Sequence, residues 1–137
     1  MYIRKYNDSD FQQVVRMWET VFHDSASHNN PQDSLNKKIA VNDGLLLVAC
    51  DKDRIIGTVM GGYDGHRGWI YSLAVLQEYR SRGIGTELIN SVEKELKNMG
   101  CLKVNLQVRE TNDKVIQFYK KCGYTIEPRT SMGKKLY

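Results

Sequence analysis

Proline occurs twice, cysteine three times and phenylalanine three times in 137 residues, and the longest apolar run, Leu45 to Cys50, is six residues long. A membrane-spanning helix needs roughly 20 apolar residues, so no membrane span is expected. Cys50, Cys101 and Cys122 are odd in number and lack C-x-x-C spacing, which argues against a disulfide framework or a zinc site. No metal is expected. Met1-Tyr2-Ile3-Arg4-Lys5 does not have the pattern of a signal peptide, and with free thiols the expectation is a cytoplasmic protein. Neither sign of charge dominates: 20 basic against 16 acidic residues leave a net charge of +4, with the basic residues scattered. A nucleic-acid surface has little support, and an anionic small ligand explains the excess equally well. What is present is ordinary for a globular chain, 41% hydrophobic and 26% charged. A single domain spanning 1–137 is expected, long enough to bury about two-thirds of its unfolded surface.

Tyr2 to Tyr6 reads as a strand, and Asn7-Asp8-Ser9 offers capping side chains for a helix whose Phe11, Val14, Val15, Trp18 and Phe22 form one apolar stripe. A polar loop runs from His23 to Asn30. Asn30-Pro31 then starts a short helix that runs to about Asn42. From Leu45 the period changes to two. Leu45 to Cys50 and Arg54 to Tyr63 form a hairpin about Asp51-Lys52-Asp53, and Asp64-Gly65 returns the chain through Trp69 to Leu76. Thr86 to Met99 is an amphipathic helix closed by Gly100, followed by a strand in which Val104, Leu106 and Val108 alternate with polar residues. Asn112 is a cap for a helix with Val115, Ile116, Phe118 and Tyr119 on its apolar face. Tyr124 to Glu127 and Ser131 to Leu136 read as a closing strand pair. The order βααβββαβαββ predicts an α/β (α+β) fold, a mixed sheet of about seven strands with helices on both faces.

Between the third meander strand and its helix lies Arg80-Ser81-Arg82-Gly83-Ile84-Gly85. Glycines let the backbone approach a ligand closely, and the first turn of a helix offers unpaired N–H groups at the positive end of its dipole. Those features suit a phosphate. Two familiar phosphate motifs fail. The dinucleotide pattern needs glycine where Leu88 stands, and no Walker string is present. What remains is [QR]-x-x-G-x-[GA] after an antiparallel meander, with N-x-x-x-x-x-F-Y-x-x-x-G-[YF] at Asn112 to Tyr124 one strand and one helix later.

That combination resembles the GNAT superfamily of acetyl-coenzyme-A-dependent N-acetyltransferases. The string Gly61-Gly62-Tyr63-Asp64-Gly65-His66-Arg67-Gly68 is similar to the small bacterial YpeA-like members. The resemblance implies a GNAT-like domain whose donor is acetyl-CoA and whose partner is an amine-bearing small molecule or protein. It implies a pyrophosphate on the backbone of Arg82, Gly83, Ile84, Gly85 and Thr86, with Arg80 and Ser81 beside it. Pantetheine would lie along Leu73, Ala74 and Val75, Asn112 would meet the cofactor arm, and Tyr119 would face the thioester sulfur as general acid. Pantetheine carries amides, and an exposed strand edge pairs with amides as with another peptide. An adjacent N–H, such as that of Val75, could stabilise an oxyanion.

Other readings of the same residues stand beside these. Leu73 and Val75 would be apolar in any strand, Asn112 caps a helix whether or not it meets a ligand, and Tyr119 beside Phe118 is an ordinary core pair. Where some family members carry a glutamate base, this chain has Trp69. By period two, Tyr71 shares the face of Leu73 and could order a water. Asp64 and His66 lie in the hairpin turn, and His23, Asp24 and His28 in the polar loop are acceptor-side candidates. Cys122 fits packing rather than nucleophilic catalysis. The expected activity is direct acetyl transfer to a primary amine, by a monomer or homodimer. The alternative is a non-catalytic acyl-CoA sensor.

Overall fold

Among the described residues, alternating side chains build the strands β1 (Tyr2–Lys5), β2 (Leu46–Asp51), β3 (Arg54–Tyr63), β4 (Gly68–Val75) and β5 (Val104–Leu106), hydrogen-bonded in chain order in one sheet. The first four pair antiparallel, and β5 pairs parallel to β4. The helices are α1 (Phe11–Val21), α2 (Pro31–Val41), α3 (Ile84–Asn98) and α4 (Asp113–Lys121). The structure, a computed structural model, describes residues 1–22 and 27–137. It comprises two units, Met1–Leu106 and Gln107–Tyr137. Among the described residues, no helix is long and apolar enough to cross a membrane.

Among the described residues the sheet has five strands rather than about seven. Neither Tyr124 to Glu127 nor Ser131 to Leu136 forms a ladder, and β5 stops at Leu106 rather than Val108. The alternation in the C-terminal segment has nothing to bury itself against: Ile126, Met132 and Leu136 are 73%, 90% and 91% exposed. Pro128 also lacks an N–H, and Arg129 N–H closes a turn on Glu127 O instead. The second unit therefore consists of α4, capped by Asn112, between a lead-in that starts at Gln107 and an irregular tail, and Gln107 donates to the hydroxyl of Ser131 in that tail.

In the first unit the helices lie on both faces of the sheet. Val14, Met17 and Trp18 of α1 and Leu35 of α2 pack with Leu46, Val48, Ile55, Met60 and Ala74. On the opposite face α3 buries Leu88, Ile89, Val92 and Leu96 completely. Burial of such side chains contributes roughly 1.5–3 kcal/mol each, so packing rather than helix propensity fixes where α3 sits. Its seat on β3 is made by glycine. A Cβ on Gly61 would fall 2.7 Å from Val92 Cγ2, and one on Gly57 would fall 3.0 Å from Leu88 Cδ1 and 3.1 Å from Ala74 O.

The first turn is anchored by charge. Asn7 caps a 3₁₀ turn at Asp8–Asp10, and the Asp10 carboxylate accepts from Asn7 N–H at 2.9 Å and from both Arg4 guanidinium nitrogens at 2.7 and 2.8 Å. Burial alone would raise the Asp10 pKa. The Arg4 and Asn7 hydrogen bonds and the Arg4 charge outweigh it and hold the carboxyl below its ordinary value.

Gly61→Ala forces Val92 and α3 away from β3 and should lower unfolding stability by about 1–3 kcal/mol in urea titration. Because Asp10 has a depressed folded-state pKa, its contribution is complete above the unfolded value near pH 4 and is lost as pH falls through the folded value. Asp10→Asn should therefore lower Tm at pH 7 and flatten the acid limb of Tm against pH relative to the parent chain.

Candidate functional site

Strand β4 changes phase partway along its length. Met60 is opposite Tyr71 and Thr58 opposite Ala74, so Val59 faces both Ser72 and Leu73: a β-bulge. Ser72 has φ +50°, the left-handed region that non-glycine residues rarely adopt. Pairing with β5 covers only Gly68, Trp69 and Ile70. Beyond the bulge, Leu76 N–H donates across to Ile56 O in β3, so by alternation the amide of Val75 points to the other edge, which no strand pairs among the described residues. On that edge the Val75 carbonyl accepts from Arg80 Nε at 3.1 Å.

Arg80 opens the turn into α3. Ser81 and Gly83 are both left-handed, at φ +64° and +80°, and nothing lies within 4 Å of where a Gly83 Cβ would stand. The helix begins at Ile84, two residues before the expected segment Thr86 to Met99, and its first internal bond runs from Glu87 N–H to Gly83 O at 3.1 Å. The N–H groups of Ile84, Gly85 and Thr86 therefore have no carbonyl within the helix to meet. Left-handed backbone leading into a helix N-terminus makes a concave cluster of N–H donors suited to an anion. The Arg82 guanidinium lies 5.1 Å from the centre of the Tyr79 ring, and the Tyr79 hydroxyl donates to Asp51 at 2.9 Å. A cation held over a ring anchored to β2 loses less side-chain freedom on meeting a phosphate. Leu73, Ala74, Val75 and Arg80 to Thr86 thus stand together in the first unit, joined by the Arg80–Val75 contact.

In the second unit, Asn112 Oδ1 accepts from Val115 N–H at 3.4 Å, which leaves the carboxamide NH₂ as a donor. Tyr119 is 9% exposed, and its ring meets Phe118 and Tyr124 edge-on at 5.1 and 5.8 Å between centroids. Burial, with a lesser push from Cys122, raises its pKa to about 12.

Tyr71 does not share the face of Leu73. The extra residue breaks the period of two, leaving Tyr71 on the face of Ala74, its ring over Gly62 and half exposed. Burial, then the charge of Asp64, raises its pKa. Asp64 is a poor base: its carboxylate accepts from Arg67 and His66 N–H at 2.7 Å each, which lowers its pKa. His28 lies exposed in a 3₁₀ turn at Ser27–Asn29, and His23 and Asp24 lie outside the described residues. Among the described residues, no group of three or more His, Cys, Asp or Glu side chains could hold a metal. Depressions of about 370 and 250 Å³ contain none of the predicted site residues. One group escaped the sequence reading. Thr58, a hydroxyl inside the apolar run from Ile55 to Met60, is fully buried and touches both Trp18 and Ser72.

Residues 11–124 match the model of the acetyltransferase (GNAT) family. "Acetyltransferase YE1169" of Yersinia enterocolitica is 41% identical over 99% of this chain and 96% of its own length, and an acetyltransferase of Yersinia pestis matches equally. The fold superimposes on Ard1 from Thermoplasma volcanium with a TM-score of 0.82 at 25% identity, covering 92% of this chain and 83% of that one. It also superimposes on AAC(6')-Iy, solved with a bisubstrate analogue of CoA, with a TM-score of 0.79 at 16% identity over 98% and 97% of the two chains. A bulged strand with an open edge, a phosphate-suited turn after it and full-length identity to named acetyltransferases together make this chain a member of the acetyltransferase (GNAT) family.

Proposed function

We propose that the chain transfers an acetyl group from acetyl-CoA directly to a primary amine. The observation that carries this reading is the contact of Arg80 Nε with Val75 O, which joins the anion-suited turn to the open strand edge. A cofactor with a pyrophosphate at one end and amides along its arm requires both in that order. The backbone of Arg82 to Thr86 holds the pyrophosphate, with Arg80 and Ser81 beside it. The edge at Leu73 to Val75 pairs with pantetheine as with a peptide strand. The free NH₂ of Asn112 donates to an amide carbonyl of the cofactor arm.

In the reaction the amine nitrogen attacks the thioester carbon, and the carbonyl electrons move to an oxyanion that the Val75 N–H stabilises. Collapse breaks the C–S bond and leaves the pair on sulfur, while the nitrogen gives up its surplus proton to the thiolate or to solvent, so that the products are the neutral amide and coenzyme A. The amine must first shed a proton; with an ordinary pKa of about 10.4, that costs roughly 4–5 kcal/mol at neutral pH. Tyr119 assists the departing thiolate. Full proton transfer from a phenol of pKa about 12 to a thiolate of about 8.5 is uphill by roughly 5 kcal/mol, so the hydroxyl acts as a hydrogen-bond donor unless bound cofactor lowers its pKa.

Incubation of the purified chain with acetyl-CoA and a panel of small amines, polyamines and peptide N-termini should release CoA thiol above background with at least one acceptor. CoA binding without transfer to any amine would overturn the enzymatic reading in favour of an acyl-CoA sensor. Tyr119→Phe should lower kcat by roughly ten- to a hundredfold with the acetyl-CoA Kd unchanged, as loss of a leaving-group donor requires. Unchanged turnover removes Tyr119 from the mechanism.

A further inference from the structure

Thr58 lies in the middle of β3 with no exposed surface, and its hydroxyl is used twice. It accepts from Trp18 Nε1 at 2.9 Å and donates to Ser72 O at 3.2 Å. Trp18 is itself 2% exposed, so the chain from α1 through β3 to the bulge of β4 is closed to water at its first two members. At a bulge the extra residue falls out of the ladder, and its carbonyl needs a partner elsewhere. Here the partner is Thr58. The need is sharpened because Ser72 is not glycine, yet stands at φ +50°.

We infer that Thr58 is a positioning residue for the acetyl-donor strand, its hydroxyl holding the Ser72 carbonyl so that β4 keeps its extra residue. The inference rests on the reading of the β4 edge given above. Its force comes from parity. Removing one extra residue from the pairing slips β4 by one, which exchanges the two faces and the two edges of everything that follows. Val75 would then turn its amide toward β3, and the open edge would pass to its neighbours. The Arg80–Val75 contact would be lost with it. Trp18 donates to a lone pair of the Thr58 oxygen from the α1 side, which leaves the hydroxyl's one hydrogen for the Ser72 carbonyl at the bulge.

The test compares Thr58→Val, which keeps the shape and removes the hydroxyl, with Thr58→Ser, which keeps the hydroxyl. Acetyl-CoA affinity is measured by calorimetry. KM for acetyl-CoA, KM for the acceptor and kcat are measured well below each variant's Tm. Thr58→Val should raise the acetyl-CoA Kd and KM at least tenfold while leaving the acceptor KM within about twofold, and Thr58→Ser should stay within about threefold of the parent chain. Adding Ser72→Gly to Thr58→Val should recover most of the lost affinity, because glycine adopts φ +50° without strain. A purely structural hydroxyl would lower Tm in Thr58→Val and leave acetyl-CoA affinity unmoved, which overturns the inference. Should Thr58→Val fail to fold, Ser72→Val decides the matter. A β-branched residue resists φ +50°, so weakened acetyl-CoA binding supports the inference and unchanged binding overturns it. A parent chain that binds no acetyl-CoA overturns the reading of the edge itself, whereas a parent that binds and a Thr58→Val variant that binds equally overturn only the role of Thr58.

Discussion

Because Ser72 and Leu73 together oppose Val59, β4 behaves as two strands of opposite parity joined end to end. Before the bulge its outer edge is spent on β5, at Gly68 to Ile70. After it, the outer edge presents Val75 and meets Arg80 instead. An unpaired edge inside a domain is ordinarily a liability for association. Here the edge is short, and the next helix begins only nine positions after Val75, so a charged side chain from the turn reaches the exposed carbonyl. In the proposed donor site this arrangement decides what is offered, because a strand edge has no chemistry other than its amides and parity selects which of them face outward.

The second element of the site is placed by packing. The N-terminus of α3 attracts an anion with an energy of about 0.3–1 kcal/mol from its dipole, far less than the contribution of its buried face. The core therefore chooses the position of the helix, and the anion site follows from it. Gly57 shows how tightly the two are coupled. The space its missing side chain leaves is bounded by Leu88 of α3 and by the Ala74 carbonyl of β4, so the helix and the donor strand meet at one glycine of β3.

The helices, the meander and the glycine turn were legible because each rests on local pattern. Phe11 to Trp18 repeat at helical spacing, Asn30-Pro31 and Asn112 are caps, and Asp64-Gly65 is a hairpin signal. The bulge was not legible, since no residue in Tyr71-Ser72-Leu73 is a glycine that would mark it, and a strict period of two then put Tyr71 on the wrong face. Thr58 carried the one available sign, a hydroxyl in an apolar run, but a threonine in a strand is unremarkable until its partners are known. The C-terminal strands failed for the opposite reason: alternation was present, while a pairing edge and a surface to bury Ile126 and Leu136 were not supplied to them. Alternation states that a segment can form a strand, and only a partner makes it one.

A site made of backbone edge, backbone turn and helix N-terminus constrains side-chain identity weakly. Leu73 and Ile84 would contribute backbone atoms to such a site, which any apolar residue supplies, whereas the parity of β4 and the left-handed residues before α3 set where those atoms stand. Acceptor choice has the reverse character. On the proposed reading it would rest on side chains, and Trp69 and Tyr71 share the face of β4 that α1 and α2 cover. In that reading, backbone atoms of β4 meet the donor and side chains of the same strand face the acceptor, so a side-chain substitution there changes the second without moving the first.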